Sequence, residues 1–60
     1  MERQEIINVF ESNGYKVNDK LTQLDFTHKD KPNSIVAIHY MQFSQMTDKI
    51  LNDFIDQGET

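Results

Sequence analysis

The spacing of apolar residues changes twice along this chain, and each change marks a boundary between helix and strand. From Glu2 to Asn13, Ile6, Ile7, Val9 and Phe10 fall on one side of a short helix, with Glu2, Glu5 and Glu11 around the rest. Asn13-Gly14 supplies the stop, because glycine takes the left-handed conformation past a helix end without steric cost. From Tyr15 the period is two. Tyr15 and Val17 flank Lys16, and Leu24 and Phe26 alternate with Gln23, Asp25 and Thr27. Lys29-Asp30-Lys31-Pro32-Asn33 reads as a loop, and Ile35 to Met41 as the central or strongest strand. Helical spacing returns near Ser44, a candidate N-cap, with Phe43 packing back on the first turn. Met46, Ile50 and Phe54 then form one row with Leu51 and Ile55 beside it, and Gln57-Gly58 ends the helix.

Register follows from the same pattern. A five-residue loop sets His28 opposite Ser34, Phe26 opposite Val36, Leu24 opposite Ile38 and Thr22 opposite Tyr40. The other face then holds Thr27/Ile35, Asp25/Ala37, Gln23/His39 and Leu21/Met41. A two-residue turn at Asn18-Asp19 pairs Val17 with Lys20 and Tyr15 with Thr22, on the Leu24 and Phe26 side. A slip of one residue would split the apolar set between faces. The expected fold is a single α+β domain over residues 1–60, two-layer α-β-β-β-α. It has a three-stranded antiparallel meander with two helices on one face. Leu24, Phe26, Val36, Ile38, Ile50 and Phe54 are the expected core.

Composition narrows the chemistry. Without cysteine there is no disulfide framework, no thiol nucleophile and no cysteine-based metal site. Two glycines cannot build a phosphate cradle, and none of Ser12, Ser34 and Ser44 sits in a nucleophile elbow. His28 and His39 lie about 17 Å apart along the expected ladder, too far to share a metal. Asp48, Asp53 and Asp56 fall on the outer side of the second helix, without calcium-loop spacing, and read first as a solvated face. We therefore expect no enzyme, no metal and no cofactor. The longest apolar run, Ile35-Val36-Ala37-Ile38, is far below the roughly 20 residues that span a bilayer. Met1-Glu2-Arg3-Gln4-Glu5 is polar and no apolar leader core follows, so a cytoplasmic protein without membrane contact is expected.

Charge is uneven within a net −4. Residues 1–14 carry −2 from Glu2, Glu5 and Glu11 against Arg3, and residues 43–60 carry −3. The hairpin region between them is weakly basic, through Lys16, Lys20, Lys29 and Lys31. The α-β-β-β-α order also occurs in double-stranded-RNA-binding domains, whose second helix opens with a lysine cluster. Here that place reads Ser44-Gln45-Met46-Thr47-Asp48-Lys49, so direct nucleic-acid binding is not expected.

The segments Ile6-Ile7 with Asn13-Gly14-Tyr15-Lys16-Val17, Leu21-Thr22-Gln23-Leu24 and Asp48-Lys49-Ile50-Leu51-Asn52-Asp53-Phe54-Ile55 carry a likeness to a known group. In these the chain resembles small acidic phage-encoded inhibitors of the anti-CRISPR type, which run helix, meander, helix. It is a likeness of pattern, and no functional residue is carried over. It implies a non-enzymatic binding protein that inhibits or modulates a larger host protein, such as a nucleic-acid-handling enzyme, by occluding its surface. Two surfaces could make that contact: the outer sheet face with Leu21, Ile35, Ala37, His39 and Met41, and the acidic helix with Asp48, Asp53 and Asp56. On the sheet face, His39 would tune binding near neutral pH. The alternative is a homo-oligomeric structural or regulatory module, a homodimer in the simplest case, associating through the outer sheet face.

Overall fold

The computed structural model describes residues 1–59, with side chains to Gln57. Helix α1 spans Arg3–Ser12, strands β1, β2 and β3 span Tyr15–Asp19, Gln23–His28 and Lys31–His39, a 3₁₀ helix spans Tyr40–Gln45, and α2 spans Asp48–Glu59. The strands form an antiparallel meander in the order β1-β2-β3, so the fold is the expected α+β type with helices at both ends. β2 is the central strand, and β3, which the sequence marks as central or strongest, is an edge.

Helix α1 starts where Glu2 and Glu5 form a capping box, the Glu2 N–H donating to Glu5 Oε1 at 3.3 Å. It stops at Asn13 and Gly14, whose amides bond back to the carbonyls of Phe10 and Glu11. Gly14 has φ of 85°, and a Cβ there would sit 3.3 Å from His28 Nε2. Both the backbone angle and the space therefore favour glycine.

One face of the sheet is consumed by the core. Phe10 of α1 stacks on Phe26 of β2 with centroids 3.9 Å apart and meets Tyr15 edge-on at 5.0 Å. Around them pack Ile6, Ile7, Leu24, Ile38, Met46, Leu51 and Ile55, all buried. The Tyr15 hydroxyl donates to the Ile55 carbonyl at 2.9 Å, tying β1 to α2. Both helices thus contribute to one apolar cluster with the Leu24 and Phe26 face.

The second hairpin keeps the expected pairs from Thr27/Ile35 through Gln23/His39, and the Tyr40 N–H to Thr22 carbonyl bond carries the same register one step further. Below Thr27 it departs. His28 pairs with Lys31, so the turn is tight and Pro32-Asn33-Ser34 bulge within β3 instead of forming an open loop. Proline tolerates this place because the strand is an edge.

The first hairpin is corrected more deeply. Val17 faces Phe26 and Tyr15 faces His28, and the turn is Lys20 to Thr22, closed by the Lys20 N–H to Gln23 carbonyl bond at 2.9 Å. Two apolar side chains now oppose each other where Val17 would have met Lys20. The displacement is an even number of residues, so Tyr15 and Val17 stay on the inner face.

The start and the buried row of α2 also differ from expectation. Ser44 lies in the 3₁₀ helix, and Thr47 does the capping, its Oγ1 accepting from the Ile50 N–H at 3.3 Å. The helix continues through Gly58 to Glu59. Leu51 and Ile55 point into the core, Phe54 and Val36 are only partly buried, and Ile50 is 40% exposed. On a helix, 100° per residue puts Ile50 well off the Leu51/Ile55 line. Leu51→Ala should therefore lower stability by about 3 kcal/mol, whereas Ile50→Ala should cost under about 1 kcal/mol. Urea melts of the two variants check the order, and equal losses would put the wrong side of α2 inside.

A polar clasp joins three elements at the top of the sheet. The Asp19 carboxylate accepts from Arg3 of α1 and from the Tyr40 hydroxyl, which also lies 2.8 Å from the Lys20 carbonyl oxygen. The Tyr40 hydrogen bond, with help from Arg3, holds the Asp19 carboxyl below its ordinary value of 3.8, and the same bond raises Tyr40 above 10.0. The Asp19 contribution is present above pH 3.8 and is lost as pH falls through the lowered value. The Tyr40 contribution is present below pH 10.0 and is lost as pH rises through the raised one. The stability gap between parent and Asp19→Asn should therefore be open near pH ~7 and close towards pH ~2. A gap independent of pH in denaturant melts would show that the clasp does not act through this charge.

Candidate functional site

The layering separates the two candidate surfaces. The acidic helix α2 lies on the inner side of the sheet, with Leu51 and Ile55 turned into the core, so its polar side faces away from the outer sheet face. No flat partner can touch both. Within α2, Asp53 is engaged by Lys49, Nζ to Oδ2 at 3.2 Å, an exposed i,i+4 pair worth about 0.3–0.5 kcal/mol. Asp48 sits in the first turn, where a carboxylate suits the helix dipole. Asp56 is exposed.

The outer sheet face is polar across its middle. Lys16 and Asn18 of β1 and Gln23, Asp25 and Thr27 of β2 point there, and Gln23 Nε2 donates to Asp25 Oδ1 at 2.6 Å. Apolar exposure is confined to its border. Ile35 on β3 is 62% exposed, and Ala37 and His39 follow it along the strand on the same face. At the end of the sheet, Leu21 is 93% and Met41 79% exposed. They are not a strand pair as expected, since Leu21 lies in the turn and Met41 in the 3₁₀ helix. The bond between Tyr40 and Thr22 nevertheless brings their segments side by side. Ile35 lies about 13 Å from His39 along the strand, so the border is a strip rather than a compact patch.

His39 is committed to local structure. Its Nδ1 accepts from the Met41 N–H at 3.1 Å, and its own N–H donates to Gln42 Oε1 at 2.7 Å, a capping box for the 3₁₀ helix. His28, expected as a polar strand end, packs edge-on against Tyr15 at 4.9 Å and accepts the Asp30 N–H. Sequence reasoning missed the Arg3–Asp19–Tyr40 clasp and the His39/Gln42 cap. The His-x-x-Gln spacing before a non-strand segment was the signal for the second.

Gln42, Gln45, Met46 and Ile50 line a shallow depression of about 80 Å³, well under the roughly 300 Å³ at which small-molecule sites begin. Among the described residues, no three His, Cys, Asp or Glu side chains are grouped as metal ligands, and no helix is long and apolar enough to cross a membrane. What the arrangement offers chemically is contact surface: an apolar border on a polar sheet face, with an acidic helix behind. No family model, curated protein or solved structure matches this chain.

Proposed function

We propose that this chain is a small non-enzymatic binding protein that inhibits or modulates a larger host protein by occluding part of its surface. The phage-encoded inhibitors it resembles in pattern work in that way. The observation that carries the reading is the exposure of Leu21, Met41 and Ile35 along one border of the molecule. Fully burying such side chains is worth roughly 1.5–3 kcal/mol each, a gross gain against which the cost of association must be set. His39 and Ala37 between them add contact area. Asp48, Asp53 and Asp56, on the opposite side, act at longer range: their field orients the chain as it approaches a basic partner such as a nucleic-acid-handling enzyme.

Two variants separate these roles. Ile35→Lys with Met41→Lys should abolish capture of the partner from host extract, while Asp48→Asn/Asp53→Asn/Asp56→Asn should retain it and bind more slowly at low salt. Loss in the second variant with retention in the first would move the docking surface to the acidic helix. Equal capture by all three proteins, each folded by circular dichroism, would contradict docking through either surface.

A further inference from the structure

The backbone of β3 shows which of its groups lack a neighbour. The Tyr40 N–H to Thr22 carbonyl bond marks a hydrogen-bonded pair, and such pairs alternate along an antiparallel ladder. Ile38/Leu24 and Val36/Phe26 are therefore bonded pairs, and the N–H and C=O groups of Ile35, Ala37 and His39 point away from β2. The His39 N–H confirms the alternation, because Gln42 from beyond the strand satisfies it. Pro32 has no N–H. A short window remains at Ile35 and Ala37, two residues presenting donors and acceptors at the free edge.

The second layer on that side is apolar too. Helix α2 packs over β3 and β2 and runs opposite to β3, from the Tyr40–Gln45 end towards Tyr15, whose hydroxyl meets the Ile55 carbonyl. In a right-handed helix so oriented, with Leu51 and Ile55 facing the sheet, Ile50 and Phe54 occupy the flank above the free edge of β3. Ile50 is 40% exposed, and Val36 and Phe54 are only partly covered.

We propose that two copies of this chain pair through the β3 edge, antiparallel about a two-fold axis at Val36, to form a continuous six-stranded sheet. Ile35 then forms a bonded pair with Ala37 of the second copy, and reciprocally, giving four backbone hydrogen bonds, while the two Val36 side chains meet on the inner face. Helix α2 contacts both β3 and β2, so pairing at the strand spacing of about 4.8 Å brings the two α2 helices side by side across the two-fold axis. Ile50 and Phe54 of both copies then close that layer. An extended peptide would fill only the sheet layer, whereas a second copy covers both, which is why we assign the edge to a copy. Charge permits it: Pro32 to Ile38 carries none, in a chain of net −4. The pairing goes beyond the docking role above, and it leaves Leu21 and Met41 open.

Sedimentation equilibrium on the synthetic full chain tests this, comparing the parent with a form N-methylated at the Ala37 amide. That amide points away from β2, so the methyl group removes an edge donor without touching the internal ladder. The parent should dimerise, and N-methylation should weaken dimerisation by about tenfold or more. Ile50→Lys should weaken it as well. A parent that stays monomeric up to about 1 mM, or a folded N-methylated form that dimerises like the parent, overturns the proposal. If N-methylation unfolds the chain, isotope-filtered NOEs in a mixture of labelled and unlabelled parent decide. Contacts between Val36 methyls of different copies support the pairing, and a dimer lacking them overturns it.

Discussion

The stack of Phe10 on Phe26 determines which side of the sheet is inside. Phe26 lies on the central strand, so the inward choice at one residue carries Leu24 with it, and through the ladders Val17, Tyr15 and Ile38. Stacked rings contribute about 0.5–1.5 kcal/mol beyond their burial. In a chain of 60 residues without disulfides that is a large share of the total. Gly14 makes the stack reachable: its positive φ turns the chain from α1 into β1 within two residues, laying the helix over the strand that follows.

Everything outward follows from the same parity. With the even residues of β3 committed to the core, Ile35, Ala37 and His39 face outwards, and their backbone groups point to the free edge. The fold then manages that edge from both ends. Pro32 and the bulge interrupt its start, and Gln42 satisfies its last N–H. The window between is too short to template indiscriminate strand pairing, yet it is flanked by Ile35, Val36 and the Ile50 side of α2. The docking proposed for the outer border and the pairing proposed for the edge draw on one leftover, the apolar surface that two short helices do not cover.

Much of this was legible from residue spacing. The period change at Asn13-Gly14 located α1 and the start of the sheet, and alternation around Leu24 and Phe26 selected the inner face. The pairs of the second hairpin were readable because Ile35-Val36-Ala37-Ile38 has only one register that buries Val36 and Ile38 against Phe26 and Leu24. The first hairpin was misjudged because Asn18-Asp19 has the composition of a turn, whereas Asp19 is held as a strand end by Arg3 and Tyr40. Those contacts are distant in sequence and leave no local trace. The buried row of α2 was misjudged for a related reason. Met46, Ile50 and Phe54 fit a helical stripe as well as Leu51 and Ile55 do, but Met46 lies before α2 begins, and packing on the sheet buries Leu51 and Ile55 instead of Ile50. For the candidate site, residue types indicated which side chains would be exposed, but not that the acidic and apolar surfaces lie back to back.

Amide hydrogen exchange along β3, resolved by residue at a concentration low enough to keep the chain monomeric, tests the parity that links core, face and edge. Val36 and Ile38, bonded to Phe26 and Leu24, should exchange slowly, and Ile35 and Ala37 should exchange at rates close to those of an open strand edge. Slow exchange at Ile35 and Ala37 with fast exchange at Val36 and Ile38 would place the opposite face of β3 inside and contradict the account.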